Sequence, residues 1–255
     1  MSTDYSQFSE IQVSRSGAVL QLTFNRPEAL NAVNMAMHGE LSEIFRLIAK
    51  DRDTRAVLLT GSGRAFCAGG DLKDFTDMTG TRLDDLFVEA RRIVVDILEM
   101  PQPLVVAING PAYGLGATIA LLGDVVYASQ TARIADTHVV AGVVAGDGGA
   151  IIWPWLIGAA RAKEFLMTGD PVSAEDAERM GLINHVVAAD ELLPEALAMA
   201  QRLAAGPRLA IEGTKLSVNQ LLRDAANQVL DVSLATEKAC FTSEDHREAL
   251  AAFQE

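Results

Sequence analysis

Two short turns hold the residue types best suited to chemistry in this chain. One runs from Ala65 to Asp71 (AFCAGGD), the other from Asn109 to Gly116 (NGPAYGLG). Each follows a strongly apolar, strand-like run, Ala56 to Thr60 and Pro103 to Ile108. Glycine lets a backbone approach a ligand with no Cβ in the way. One N–H from each turn, converging on a single oxygen, makes an oxyanion hole that stabilises charge developing on a carbonyl oxygen. The plainer reading is that these glycines only make tight strand-to-helix turns.

The elements around the turns read as follows. Residues 8–14 and 18–24 alternate as two strands about a turn at Ser16-Gly17. Met35 to Ala49 has helical apolar spacing and precedes a strand at 56–60. A helix is predicted over 82–99, a strand over 103–108, and a helix from Leu115 to Leu122. Val125 to Tyr127 and Arg133 to Ala135 read as short strands. Residues 150–182 suggest short helices, one of them capped by Ser173. A last strand follows over 183–187, and the pattern from Asp190 to Phe253 is helical. Alternating strands and helices followed by a helical tail predict an α/β core with a helical C-terminal region.

Composition narrows the function classes. The chain has 255 residues, 49% of them hydrophobic, enough for a sizeable core. No apolar run is long enough to suggest a membrane span. The first ten residues lack the basic and apolar regions of a secretory signal. Cys67 and Cys240 make no disulfide framework, and a cytoplasmic location is expected. No Cys/His cluster has zinc-ligand spacing, so no metal site is expected. A net charge of −13 argues against nucleic acid or an anionic membrane as partner.

Six segments occur in an order that carries a resemblance. They are Phe24 to Ala32 (FNRPEALNA), the two turns, Gly123 to Ala128 (GDVVYA), Gly146 to Gly149 (GDGG) and Gly181 to Val187 (GLINHVV). On these the chain resembles the crotonase (enoyl-CoA hydratase/isomerase) superfamily over nearly its whole length. The resemblance implies a ββα-spiral core over residues 1–190 and a C-terminal helical trimerisation region over 191–255. It also implies a homotrimer or hexamer, an acyl-CoA substrate, and no cofactor beyond the CoA of that substrate. The oxyanion donors it implies are the N–H groups of Gly70 and Leu115. Leu115 opens a helix, whose positive end favours an anionic oxygen. The implied CoA contacts are the Ala68 backbone at the adenine, Lys73 at a phosphate, Arg26 beside the site, and Phe241 with the chain end from a neighbouring subunit. With so acidic a chain, CoA must be held by a few local cations and backbone donors.

Where hydratases of the family carry two glutamates, this sequence has Thr118 and His138. Threonine is not a general base at neutral pH. His138 lies nine residues before Asp147. A carboxylate on one imidazole nitrogen fixes the tautomer, and the other nitrogen can then activate water. This pair is similar to the His–Asp dyad of the superfamily's C–C bond hydrolases, which add water to a β-diketone. The alternative is that Asp147 caps a helix starting near Gly148 while His138 is a core residue. The expected reaction is hydration, or hydrolytic C–C cleavage of a β-dicarbonyl, with His138 as base, Asp147 orienting it and Thr118 positioning water. Two rivals stand beside it: a conventional enoyl-CoA hydratase/isomerase with relocated acid/base groups, and a catalytically silent acyl-CoA-binding protein. His38, in a helical surface pattern, His185 and His246 read as structural. Cys67 reads as packing, Trp153 and Trp155 as acyl-pocket or core residues, and Asp71 and Asp136 as turn or capping residues.

Overall fold

The computed structural model describes residues 3–75 and 78–253. Gln254 and Glu255, the end of the segment expected to touch CoA, lie outside the described residues. In chain order the elements are β1 (Ile11–Ser16), β2 (Val19–Phe24), α1 (Met35–Lys50), β3 (Ala56–Gly61), α2 (Leu72–Phe75) and α3 (Thr81–Glu99). Next come β4 (Leu104–Ile108), β5 (Ala112–Tyr113), α4 (Leu115–Leu121), β6 (Val125–Ser129) and β7 (Arg133–Ala135). The chain continues through α5 (Gly149–Ile157), α6 (Ala159–Thr168), β8 (Val172–Ser173), α7 (Ala174–Met180) and β9 (His185–Val187). It closes with α8 (Leu192–Ala205), α9 (Arg208–Cys240) and α10 (Glu244–Ala252). Two 3₁₀ turns, Pro27–Ala29 and His138–Ala141, matter for the site.

The main sheet has the order β1-β2-β3-β4-β6-β9, antiparallel between β1 and β2 and parallel elsewhere. Its central strands β3 and β4 are buried at every position, which is why they read as unbroken apolar runs. β5, β7 and β8 form a second, three-stranded sheet. The expected mixed α/β class is observed. β1 starts at Ile11, later than the alternation suggested, because Glu40 of α1 accepts the N–H groups of Ser9, Glu10 and Ile11. β5 and β8 are two residues each, too short to leave a periodic signature.

Helix ends follow local chemistry. Asn34 caps α1 by accepting the Met37 N–H at 2.8 Å, and Ser173 caps α7 through the Asp176 N–H, as its sequence position suggested. Ser243 caps α10 through the His246 N–H. The C-terminal helices pack back on the core. Leu192, Ala196, Ala200 and Ala204 of α8 cover the sheet at Leu58, Val105 and Tyr127. α9 lies on α3 and α5 and brings Ser233 and Glu237 into the interior.

Candidate active site

The two glycine turns lie against each other. Phe66 and Cys67 donate N–H bonds to the Pro111 carbonyl, and Tyr113 returns one to the Cys67 carbonyl at 2.8 Å. The buried Asn31 amide donates to Ser62 and Ala65 carbonyls, and Asn109 donates to Gly63 and Ala65. These bonds satisfy turn carbonyls that no ladder reaches. Gly69 has φ +93°, and a Cβ there would sit 3.1 Å from the Tyr113 carbonyl oxygen, so the contact between the turns requires glycine. Gly70 and Leu115 both line one cavity, and among the described residues neither N–H has an acceptor. Leu115 is the first residue of α4, where an N–H has no intrahelical partner.

Beside the turns stands a buried acid/base cluster. His138 begins the 3₁₀ turn after β7, which places its ring at the cavity. Its Nδ1 lies 2.6 Å from Asp136 Oδ1, and its Nε2 lies 3.1 Å from Asp147 Oδ2. Thr118 of α4 donates its hydroxyl to Asp147 Oδ1 at 3.2 Å. Glu237 of α9 approaches Nε2 to 3.8 Å. Burial pulls the imidazole toward neutrality, but the charges of Asp147 and Asp136, with their hydrogen bonds, hold it well above the usual histidine range. Glu237 is pushed well above the usual carboxylate range by burial; the His138 charge opposes this and the two aspartates add to it. The surroundings therefore favour the charged ring of His138 and the neutral carboxyl of Glu237. Gly149 makes this possible, since a Cβ there would meet Asp136 Oδ2 at 2.0 Å.

The cavity is about 350 Å³. Val33, Leu72, Leu86, Phe87, Val143 and Phe241 supply much of its apolar wall. His38, Tyr113, His138, Asp147, Glu237 and His246 interrupt it with polar groups. Apolar pockets with a few convergent polar groups suit small-molecule substrates.

Several sequence expectations change on this geometry. Asp147 was expected to orient His138 and leave the other nitrogen free. Instead both nitrogens are engaged, and Asp136, read as a turn residue, holds Nδ1. With a carboxylate oxygen against each ring nitrogen, neither nitrogen is left open to water as the expected dyad requires. Asp147 does not cap α5, whose N-cap Gly148 has no side-chain cap. Thr118 is fully buried behind Asp147 and does not line the cavity, so it positions Asp147 rather than water. Arg26, expected beside the CoA site, is engaged by Asp71 at 3.2 Å, Glu10 at 3.4 Å and the Ala32 carbonyl, which makes it a latch under the first turn.

Of the other expected CoA contacts, Ala68 lines the cavity while its N–H donates to the Leu30 carbonyl at 3.1 Å. Lys73 is exposed on α2 and is not part of the cavity wall. Phe241 lines the cavity of its own chain and packs edge-on to Phe87 at 5.6 Å. Trp153 is fully buried and Trp155 exposed, and neither reaches the cavity. His38 is not a surface residue but is 5% exposed and bonded to Glu89. Cys67 is enclosed, and burial pushes its thiol up to about 12, which removes it as a nucleophile. Among the described residues no cluster of His, Cys, Asp and Glu side chains is arranged to hold a metal ion.

The sequence profile of the enoyl-CoA hydratase/isomerase family matches residues 14–255. The chain belongs to the enoyl-CoA hydratase/isomerase family. It is 36% identical over 240 residues to an Escherichia coli protein named 1,2-epoxyphenylacetyl-CoA isomerase, covering 92% of this chain and 91% of that one. It is 32% identical over 246 residues to a probable enoyl-CoA hydratase of Rhizobium meliloti, covering 96% and 95%. A crystal structure of an enoyl-CoA hydratase/isomerase from Mycobacterium paratuberculosis superposes with a TM-score of 0.94 at 38% identity, covering 97% of this chain and all of that one. The protein is thus a crotonase-superfamily enzyme with the crotonase fold. Sequence reasoning on this family member missed Asp136 and Glu237. Asp136 was within reach, because an aspartate two residues before a histidine on one loop can hold its Nδ1. Glu237 had no local signal, since only the packing of α9 brings it to the cavity.

Proposed function

We propose that the protein forms an enolate from an acyl-CoA thioester or a β-dicarbonyl substrate and holds its oxygen on the Gly70 and Leu115 N–H groups. Proton transfer belongs to the pair Asp147 and His138, with Asp147 as base and the His138 imidazolium as acid. The observation that carries this is the double engagement of His138 by Asp136 and Asp147. It supplies one deprotonated and one protonated group side by side, the two states that water addition needs.

In hydration, Asp147 takes one proton from water and the hydroxide bonds to the β-carbon of an enoyl thioester. The electron pair moves to the thioester oxygen in the oxyanion hole. His138 Nε2–H then protonates the α-carbon, and Asp147 returns its proton to Nε2. In hydrolytic C–C cleavage the hydroxide adds to a ketone carbonyl instead. The C–C bond breaks toward the same enolate, which takes the same proton. Thr118, donating to Asp147 Oδ1, keeps the other carboxylate oxygen facing His138.

A second reading is favoured by burial of Glu237, which favours its neutral form and leaves Asp147 as the carboxylate suited to proton transfer among the described residues lining the cavity. Asp147 alone can carry a proton between carbons of an enolate, which is double-bond isomerisation. Turnover of crotonyl-CoA and of cyclic β-diketones in ¹⁸O-water separates the two. Label in the product supports water addition, and rearrangement of a 3-enoyl-CoA without label supports isomerisation. Failure of all three substrates supports the silent acyl-CoA-binding rival. Assembly as a homotrimer or hexamer belongs to the same proposal. α9 presents Val218, Leu221 and Val232 outward as an apolar stripe that association would cover.

A further inference from the structure

We propose that His38 is the residue by which this cavity recognises a hydroxyl group on the acyl part of its substrate. The inference rests on the reading of the cavity as an acyl-CoA site. His38 sits on α1, and its Nδ1 lies 2.7 Å from Glu89 Oε2 on α3. The residue is 5% exposed and lines the cavity. Among the described residues its Nε2 has no hydrogen-bond partner, yet it is not an enclosed orphan as His246 Nε2 is, and the residue that carries it lines the cavity.

The surrounding wall is apolar, made here by Leu86, Phe87 and Ala90 of α3. A polar atom in such a wall is costly until a ligand pairs with it. Glu89 accepts the Nδ1–H, which fixes the ring and leaves Nε2 as its one available atom. A hydroxyl serves that atom in either protonation state, because it both donates and accepts. A carbonyl or carboxylate pairs only with the protonated ring, and an ammonium only with the bare one. A tie between α1 and α3 needs Nδ1 alone and gives no reason for the residue to line the cavity. His38 is thus a specificity residue at a wall distinct from the acid/base cluster.

The test is titration calorimetry with two matched pairs, butyryl-CoA against 4-hydroxybutyryl-CoA and hexanoyl-CoA against 6-hydroxyhexanoyl-CoA. For at least one pair the hydroxylated ligand binds the wild-type protein about tenfold tighter. In His38→Leu that ratio falls to about one, whereas His38→Gln, which keeps a donor and an acceptor, retains part of it. If the leucine variant does not fold by circular dichroism, His38→Phe carries the same comparison. Equal binding within both pairs, or a preference that survives loss of the imidazole, overturns the inference. α-Proton exchange is measured on the same ligands. Exchange without preference defeats this inference alone, and preference without exchange defeats the catalytic reading alone.

Discussion

Asp136 Oδ1 lies 2.6 Å from Nδ1 of His138, two residues further along the same loop. The carboxylate is fully buried, so its charge is little screened by water. It holds the imidazole in one orientation and favours the charged ring. On the proposed reading His138 is a placed cation and proton donor, and Asp147, on the other nitrogen, is the base.

Asp136→Asn keeps an acceptor for Nδ1–H but removes the charge. The histidine then falls toward its ordinary range, and the alkaline loss of activity moves to lower pH. The rate at neutral pH drops by about 10². In the wild-type enzyme, kcat/KM does not rise through about pH 6.5 as a free histidine base requires. A pH–rate profile of both proteins checks this, and a wild-type rise centred there contradicts it.

Asp147→Asn removes the base and leaves the cavity shape and the Thr118 contact in place. Turnover falls by roughly 10²–10⁴ while acyl-CoA binding persists. Steady-state kinetics paired with calorimetry measures both quantities. A matching loss of affinity would instead mean that Asp147 only shapes the pocket.

Gly69→Ala places a Cβ at φ +93° against the Tyr113 carbonyl. The left-handed backbone costs about 1–2 kcal/mol, and the turn must shift to relieve the contact. Misplacing the Gly70 N–H lowers the rate by about 10²–10³. Thermal unfolding gives the first effect and kinetics the second. Unchanged turnover in a folded variant argues against a donor at Gly70.

Glu237→Gln tests the protonated acid. Folded Glu237 keeps its proton above the value of 4.5 at which the unfolded chain loses it, so its stabilisation is present below that pH and declines as pH rises toward the folded value. His138 adds a second decline of the same sign, beginning near its unfolded value of 6.5. Glutamine mimics the protonated acid at every pH. The variant therefore loses the first decline and keeps the second, and it is at least as stable as the parent at pH 7. Denaturant unfolding between pH 5 and pH 8 reads both slopes.

Much of this was legible in the residues. β3 and β4 announced themselves as buried apolar runs, and the glycines of both turns marked where backbone approaches backbone. Asn31 reads only as a piece of a motif, and Arg26 as a residue beside the CoA site. Their work of tying carbonyls and carboxylates beneath the first turn depends on contacts up to 45 positions away along the chain. His38 misled because helical periodicity places a residue on a face without saying what packs there, and α3 covers that face. The pairing of His138 with Asp147 comes from the family resemblance, since their spacing alone also suits a helix cap and a core histidine. The charge state of the ring depended on Asp136 and Glu237, and burial by α9 decides that electrostatic balance.

The most direct test is α-proton exchange of a saturated acyl-CoA in deuterated water, followed by NMR for the wild-type protein and Asp147→Asn. The account predicts exchange well above the enzyme-free rate in the wild type and its loss in the variant. Exchange that is absent from the wild type, or undiminished without the Asp147 carboxylate, contradicts it.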